Sequence, residues 1–476
     1  MPFKQLEGIE LKVHLESLGV IQNADIEVGK FTILCGLNNS GKTYVTYAIY
    51  GFLYFWQNQF SINTDPEILR KLKGHGFVAM SLKEYIDSAQ KIVDKACLEY
   101  TKILSNVFSA QEKLFEDSLF KIEIMDNEIE ILKDEYKQGI RTSLSKSQVM
   151  MLQKGENEMD LEVTLYEDED STHDEEIPDY FLKHTLSNAI KEIVFCYVFP
   201  RVYIASAERT GAAIFRQELN FARNRLLDEI GGKKAKIDPI KFLFPPKSDY
   251  AWPVDHNVDF VRKLETISRK ESYFSSQYKD IIESFTDILG GDYLVNKNNE
   301  LTFTPAGKKI RLSMDESSSS VRSLLDIGFY IKHVAQRHDL LMIDEPELNL
   351  HPENQRKMAR LLASLINCGV NIFVTTHSDY ILRELSNLIL LNRELPHIQN
   401  IVDKEGYKQT ELLRAESIKV YTAKVDLLKL SSNTRRSLRQ TLVPTMIDKE
   451  SGIETSCFDD TIETMNRIQD EIMFGE

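Results

Sequence analysis

The sequence predicts an α/β fold whose core is split along the chain, and three observations predict it. A short apolar run, "FTILC" (31–35), passes through the glycine-bounded turn "GLNNSGKT" (36–43) into the apolar helical stretch "YVTYAIYGFL". Two strand–helix units stand in the last third of the chain, "DLLMIDE" with "PENQRKMARLLASLI" and "NIFVTTHS" with "DYILRELSNLILL". Strands alternating with helices in this way build a sheet covered by helices. Between these parts lies material with the pattern of extra strands and a helical insertion.

Taken in order, residues 3–35 read as strands: "IELKVHLE" alternates, "GVIQNADIEV" carries a turn, and "KFTILCG" is short and buried. Tyr44 to about Gln59 reads as a helix, ended by the polar break "SINTDPE". Residues 78–118 read as one long helix of mixed charge. "KIEIMDNEIEIL" reads as two strands around an Asp126-Asn127 turn, and "EMDLEVTLYE" as another strand. The acidic run "YEDEDSTHDEEIPDY" reads as a solvated loop. "IVFCYVFPRVYIAS" (193–206) reads as a buried strand region turning at Pro200.

From 211 to about 289 the chain reads as mostly helical. Ile281, Ile282, Phe285, Ile288 and Leu289 share one face there, before a Gly pair stops the helix. A hairpin, "DYLVNKNNELTF", leads to the serine cluster "DESSSSVRS" (315–323) at the head of an apolar helix. No fixed-period repeat is present, nor a long heptad rod.

Composition narrows the class. The chain has 476 residues, 42% hydrophobic and 28% charged, as in ordinary globular proteins of two or three domains. A net charge of -15 argues against a generally basic nucleic-acid coat. The five cysteines form no CxxC pair, which fits a reducing compartment without disulfide framework or zinc site. With no apolar signal core and no apolar span long enough for a membrane, the expected location is cytoplasmic.

The opening turn matches G-x-x-x-x-G-K-[ST] through Gly36, Gly41, Lys42 and Thr43, in the strand-to-helix setting that pattern requires. Its glycines let backbone amides across Asn38, Asn39, Ser40 and Gly41 face phosphate oxygens, and the helix start adds its dipole. Lys42 then reaches the β- and γ-phosphates, and the Thr43 hydroxyl ligates Mg²⁺. In "LLMIDEP", Asp344 emerges at a strand's carboxyl end to meet the Mg²⁺ shell, and Glu345 orients or deprotonates water. His377 ends the next strand, within reach of a γ-phosphate or the lytic water. Ser317, Ser318, Ser319 and Ser320 offer hydroxyls and amides to an anion. The plain alternatives are a glycine-rich turn, a core strand ending in charge, a surface histidine, and N-capping by one serine. The only D-x-D, Asp168-Glu169-Asp170, reads as solvated charge.

These elements, in this order, resemble the ABC-type ATPase heads of the SMC, RecF and OLD-like group, over about 1–60 and 305–395. "DEPELNLHP" followed by "THS" is typical of the OLD-like branch of bacterial AAA-type ATPases. The resemblance implies an ABC-type head, a P-loop mixed sheet with an antiparallel lobe. It implies ATP and Mg²⁺ as cofactors, Glu345 as catalytic base and His377 as switch. Ser317 to Ser320 would contact the nucleotide of a second protomer, and Glu347 to Pro352 would couple the two sites. The head would be formed by 1–210 and 291–476, with a helical arm at 211–290.

The signature departs from the LSGGQ form, since Ser320 stands where glycine is common, and no Q-loop glutamine is identifiable. "SAERTG" (206–211) occupies the place of an OLD-like Glu-Arg motif, which would bring Arg209 near the nucleotide. No Toprim-type D-x-D follows His377. The chain is therefore similar to the ATPase subunits of Septu-type and PARIS-type antiphage systems, which act with a separately encoded nuclease. The expected partners are a second copy or more, that effector, and DNA or a phage trigger protein. The alternative is a RecF-like repair ATPase, for which "GGKKAK" (231–236) and "TRRSLR" (434–439) are the basic candidates. A transporter ATPase fits the signature poorly. A GTPase is disfavoured because "NKNN" (296–299) lacks the guanine-reading aspartate.

Overall fold

The computed structural model describes residues 11–124, 129–141, 148–166, 177–215, 250–296, 300–428, 437–454 and 456–474. Its strands in chain order are β1 (Leu11–Leu18), β2 (Ile21–Val28), β3 (Phe31–Gly36), β4 (Phe77–Ser81), β5 (Leu119–Glu123), β6 (Tyr136–Arg141), β7 (Gln148–Lys154) and β8 (Asp160–Leu165). They continue with β9 (Val202–Ala205), β10 (Gly291–Val295), β11 (Leu301–Pro305), β12 (Leu312–Ser313), β13 (Leu340–Asp344), β14 (Asn371–Thr376), β15 (Ile418–Leu428) and β16 (Ser437–Pro444). The fold is mixed α/β and comprises two compact units. One takes in Met1–Val13, Phe52–Lys102 and Phe120–Arg201; the larger takes in His14–Gly51, Ile103–Leu119 and Val202–Glu476.

In the larger unit the strands run in the order β1-β2-β16-β15-β3-β14-β13-β9. β15, β3, β14, β13 and β9 are mutually parallel neighbours. Every residue of β3, β13 and β14 is buried. That is why they read as unbroken apolar runs: a strand covered on both faces has no polar side to alternate with. Helices cap the ends of these strands. Pro352–Asn367 starts on His351, whose Nδ1 accepts from the Glu353 amide, with Pro in the first turn. Asp379–Leu390 starts on Ser378, whose Oγ accepts from the Ile381 amide. The helices between Trp252 and Leu289 send Val258, Val261, Phe274, Phe285 and Ile288 into the same core.

The smaller unit holds an antiparallel sheet, β4-β8-β7-β6. It also holds an aromatic core in which the Trp56 ring lies 4.5 Å from Phe199 and 5.0 Å from Phe195.

Three readings of the sequence change here. Residues 78–118 do not form one helix: Phe77–Ser81 is β4, and the helices Lys83–Asp87, Ala89–Thr101 and Leu104–Val107 follow separately. Gly76 at φ 68 closes the preceding helix, and Val78 and Met80 then turn inward with period two. Ile193 and Val194 end the helix Asp179–Val194, so 193–206 contributes only the short β9. A brief apolar run cannot by itself separate a buried helix end from a strand. The stretch "YKQTELLRAESIKVYTAKVDLL", which reads in sequence as a small closing element, is more than that, because β15 inserts beside β3 and β16 returns antiparallel to it. Of "KIEIMDNEIEIL", only the part in β5 is strand; Asp126 and Asn127 lie outside the described residues. No described helix is long and apolar enough to cross a membrane.

Lys191 in the smaller unit is 8% exposed, and its ammonium donates to the Phe60 carbonyl. Burial pulls its pKa down to about 8, against about 10.4 for a free lysine. Between those values the unfolded chain holds more protons than the folded one, so stability rises as pH climbs. Thermal melts from pH 7.5 to 10 should show that rise in the wild type and a flatter profile in Lys191→Met.

Candidate active site at the carboxyl ends of the parallel strands

Three registers bring the site together. Thr376 of β14 pairs with Cys35 of β3, Asp344 of β13 with Thr375 of β14, and Ala423 of β15 with Gly36. The loops after β3, β13 and β14 therefore open along one edge of the sheet, where open α/β sheets hold ligands.

The first loop wraps the start of the helix Lys42–Asn58. Gly36 (φ 130) and Gly41 (φ 93) adopt backbones that side chains rarely tolerate, and Asn39 (φ 59) takes the left-handed region too. Space imposes the same choice: a Cβ on Gly41 would stand 2.7 Å from Ile21, and one on Gly36 2.7 Å from the Ala423 carbonyl. Lys42, 5% exposed, donates to the carbonyls of Gly36 (3.1 Å) and Leu37 (2.8 Å) and to Ser40 Oγ (3.3 Å). Those described acceptors are all neutral, and burial lowers the ammonium's pKa. A buried cation ringed by backbone and lacking a carboxylate at contact is suited to an anion.

Thr43 Oγ1 stands 3.5 Å from Asp344 Oδ2. Asp344 is 2% exposed, and its other oxygen accepts from Thr375 Oγ1. Burial pushes this carboxyl up to about 6, against the opposing Thr375 hydrogen bond. A hydroxyl beside a buried carboxylate is a hard-oxygen pair of the kind Mg²⁺ takes, and a cation there would offset the desolvation.

Glu345 follows with φ 54, an uncommon conformation for a residue with a side chain. Its amide donates to the Thr375 carbonyl and Oγ1, each at 3.2 Å. Its carboxylate Oε1 lies 3.6 Å from His377 Nε2. Burial holds the His377 imidazole below its ordinary value, with Lys42 adding to the effect and Glu345 opposing it. The His377 amide donates to Glu347 Oε1 at 2.6 Å, and Thr376 Oγ1 donates to the same oxygen at 3.0 Å. A neutral imidazole is thus carried on a backbone pinned by the half-buried Glu347.

A family model described as AAA ATPase domain matches residues 11–382, most of the chain and all of these loops. The chain belongs to the AAA ATPase domain family. No curated protein matches it. Among solved structures it is similar to an Smc head bound to the C-terminal winged-helix domain of ScpA, at 11% identity and a TM-score of 0.34, over 92% of this chain and 98% of that one. It is also similar to the SMC head domain from Thermotoga maritima, at 10% identity and a TM-score of 0.28, over 92% and 100%.

Not every residue expected at this ATPase site is joined to it. The described hydrogen bonds of Ser317, Ser318, Ser319 and Ser320 stay within residues 313–324. Ser318 caps the short helix Ser319–Ser323, and Ser317 Oγ donates to the Ser313 carbonyl. Arg209 reaches the site from behind, through main-chain carbonyls, with its side chain 1% exposed. The basic stretch 231–236 and residues 168–170 lie outside the described residues, and of 434–439 only the part in β16 is described.

Sequence reasoning missed several contributors. Thr375 and Thr376 are visible in "FVTTHS", but their roles follow only from the β13–β14 register. Glu347 was expected only as the start of a coupling loop, and its bonds to Thr376 and the His377 amide were not foreseen. Gln440 of β16 donates from Nε2 to the Ser40 carbonyl at 3.1 Å, bracing the first loop from a strand far along the chain. Glu208 accepts from Tyr47 Oη at 2.8 Å, on the helix that begins the site.

Gly36→Ala places a methyl against the Ala423 carbonyl at a left-handed position. It should lower unfolding stability by about 1–3 kcal/mol, measured by denaturant titration, and weaken nucleotide binding with it.

Proposed function

We propose that this ATPase works as a nucleotide-sandwich homodimer or a larger assembly of such pairs. Lys42 and the amides of Asn38 to Gly41 hold the phosphates of ATP, and Thr43 with Asp344 holds Mg²⁺. That ion, when bound, neutralises phosphate charge and fixes its geometry. Glu345 orients the attacking water and takes its proton, while His377, neutral near pH 7, hydrogen-bonds toward the same water or the γ-phosphate. Ser317 to Ser320 serve the nucleotide of the partner copy. The observation that carries this reading is the meeting of Lys42, Thr43, Asp344, Glu345 and His377 at the ends of three adjoining strands.

The wider role proposed is that of a sensor or scaffold in bacterial antiphage defence, controlling a separately encoded nuclease. The motif order "DEPELNLHP" and "THS" supports it through resemblance to the Septu-type and PARIS-type ATPase subunits. Coexpression with the adjacent genes should bring a nuclease through purification in stoichiometric amount. DNA cleavage by the purified chain alone with Mg²⁺ would overturn that role.

Glu345→Gln should keep ATP binding, lower kcat by about 10²-fold or more, and shift the ATP-loaded protein to a dimer in light scattering. Lys42→Ala should abolish binding itself. Unchanged turnover in Glu345→Gln removes that residue from its role, and an ATP-loaded monomer removes the serines from theirs.

A further inference from the structure

We infer that Arg209 is a positioning residue that ties the serine-bearing helix to the backbone of Asp344 and Glu345, so that the state of the helix sets the aim of the Glu345 carboxylate. The inference rests on the role proposed for Glu345 and extends it to a residue that touches neither nucleotide nor water.

Arg209 sends its guanidinium to main-chain oxygens. Its Nε donates to the Ser323 carbonyl (2.8 Å), one terminal nitrogen to those of Ser206 (2.8 Å) and Asp344 (2.6 Å), and the other to Glu345 (2.7 Å). These acceptors come from three separate segments of the chain. The reason lies in where the sheet stops. The β9–β13 ladder ends at Ala205 with Ile343, and Glu345 turns out of the strand at φ 54. Past that point the carbonyls of Asp344 and Glu345 lie beyond the β9–β13 ladder, that of Glu345 accepting also from the Leu348 amide, and a buried carbonyl short of donors is costly. Arg209 takes both. The fork geometry of a guanidinium suits this, where an ammonium would act as a single point.

The third segment makes the arrangement more than a plug. Ser323 is the last residue of the helix Ser319–Ser323, so the carbonyl held by Nε belongs to the serine-bearing helix itself. Ser323 Oγ also donates to the Leu348 carbonyl at 2.9 Å, and the Leu348 amide donates to the Glu345 carbonyl at 3.1 Å. The helix therefore reaches the Glu345 carbonyl by two routes, Arg209 on one side and Ser323–Leu348 on the other. Behind the guanidinium, Asp326 is 1% exposed with both carboxyl oxygens free of hydrogen-bond partners. Burial pushes its carboxyl up to about 7, with the Arg209 guanidinium opposing that rise, and it takes none of Arg209's described donors.

A residue at φ 54 holds that angle only while its neighbours insist on it. Loosening the Glu345 carbonyl lets the backbone relax and swings the carboxylate, and a displacement of about 1 Å at a reacting group can cost about 10²-fold in rate. A pull on the serines from a bound nucleotide is transmitted to the carbonyl that fixes Glu345.

The test compares the full-length wild type with Arg209→Lys and Ser323→Ala in steady-state ATPase assays and in binding of a fluorescent ATP analogue. Arg209→Lys keeps the charge and loses the fork. It should lower kcat by about 30-fold or more while KM and analogue affinity stay within about threefold. Ser323→Ala removes only the hydroxyl route and should lower kcat by about 3–10-fold with the same split. The double variant should fall short of the product of the two, because both act on one carbonyl. Wild-type kcat in Arg209→Lys, or kcat and affinity falling together, overturns the inference. If Arg209→Lys does not fold, unchanged kcat in Ser323→Ala overturns it alone. A wild type that neither binds nor hydrolyses ATP brings down the proposed function as well, whereas a working wild type with insensitive variants brings down only the coupling.

Discussion

The pairing of Cys35 with Thr376, and of Thr375 with Asp344, sets the carboxyl ends of β3, β14 and β13 at one level. Everything chemical in this chain depends on that register. A slip of one residue would turn each side chain to the opposite face of the sheet. Asp344 would then point away from Thr43, and Glu345 away from His377. Buried strands hold the register because each is mostly apolar and covered on both faces, with nowhere else to go. The polar residues at their ends follow the backbone rather than choosing their own positions.

The register also creates an electrostatic imbalance that a ligand can resolve. Asp344 is buried with its carboxyl raised to about 6, and Lys42 is buried with its ammonium lowered. Burial pushes each group toward its neutral form, with Asp344 and Glu345 opposing the shift at Lys42 and the Thr375 hydrogen bond opposing it at Asp344. Under the proposed reading, a phosphate beside Lys42 and a cation beside Asp344 each offset the cost of burying that charge. The strained Glu345 fits the same logic. Its amide is held by Thr375 and its carbonyl by Arg209 and Leu348, so the backbone is fixed at both ends before any substrate arrives.

Much of this was legible in the sequence wherever one short segment carried its own constraint. Gly36 and Gly41 announce a backbone that turns around something, and "LLMIDEP" announces a buried strand ending in acids. His377 was placed by its position after the next apolar run. Local pattern could not supply pairings between distant segments. β15 reads as an ordinary alternating strand, and nothing within it says that it lies beside β3. Gln440 is one glutamine among many until β16 brings it to the Ser40 carbonyl. Arg209 was readable as belonging near the site, but its direction was not, since that depends on carbonyls exposed where β9 and β13 part. The stretch 78–118 failed for a different reason. Its charges follow a helical rhythm, while Val78 and Met80, which face inward with period two, are too few to overrule it by eye.

Under the proposed reading, the serine cluster calls for two copies rather than one. Within a chain, Ser317 and Ser318 already have local partners, and Arg322 is spent on the carbonyls of Met314 and Ser317. No described hydrogen bond carries any of these serines to Lys42, Thr43 or Asp344 in the same chain. Among the described hydrogen bonds, the helix is joined to its own site at Ser323. An anion site and a hydrolytic site that are mechanically linked but chemically separate make poor sense in isolation. A two-fold pairing changes this, because an isologous interface brings element i of one copy to element j of the other, twice. In the proposed pair the serines of each copy would face the other's nucleotide, and the inferred link at Ser323 would report that contact back to the copy's own Glu345.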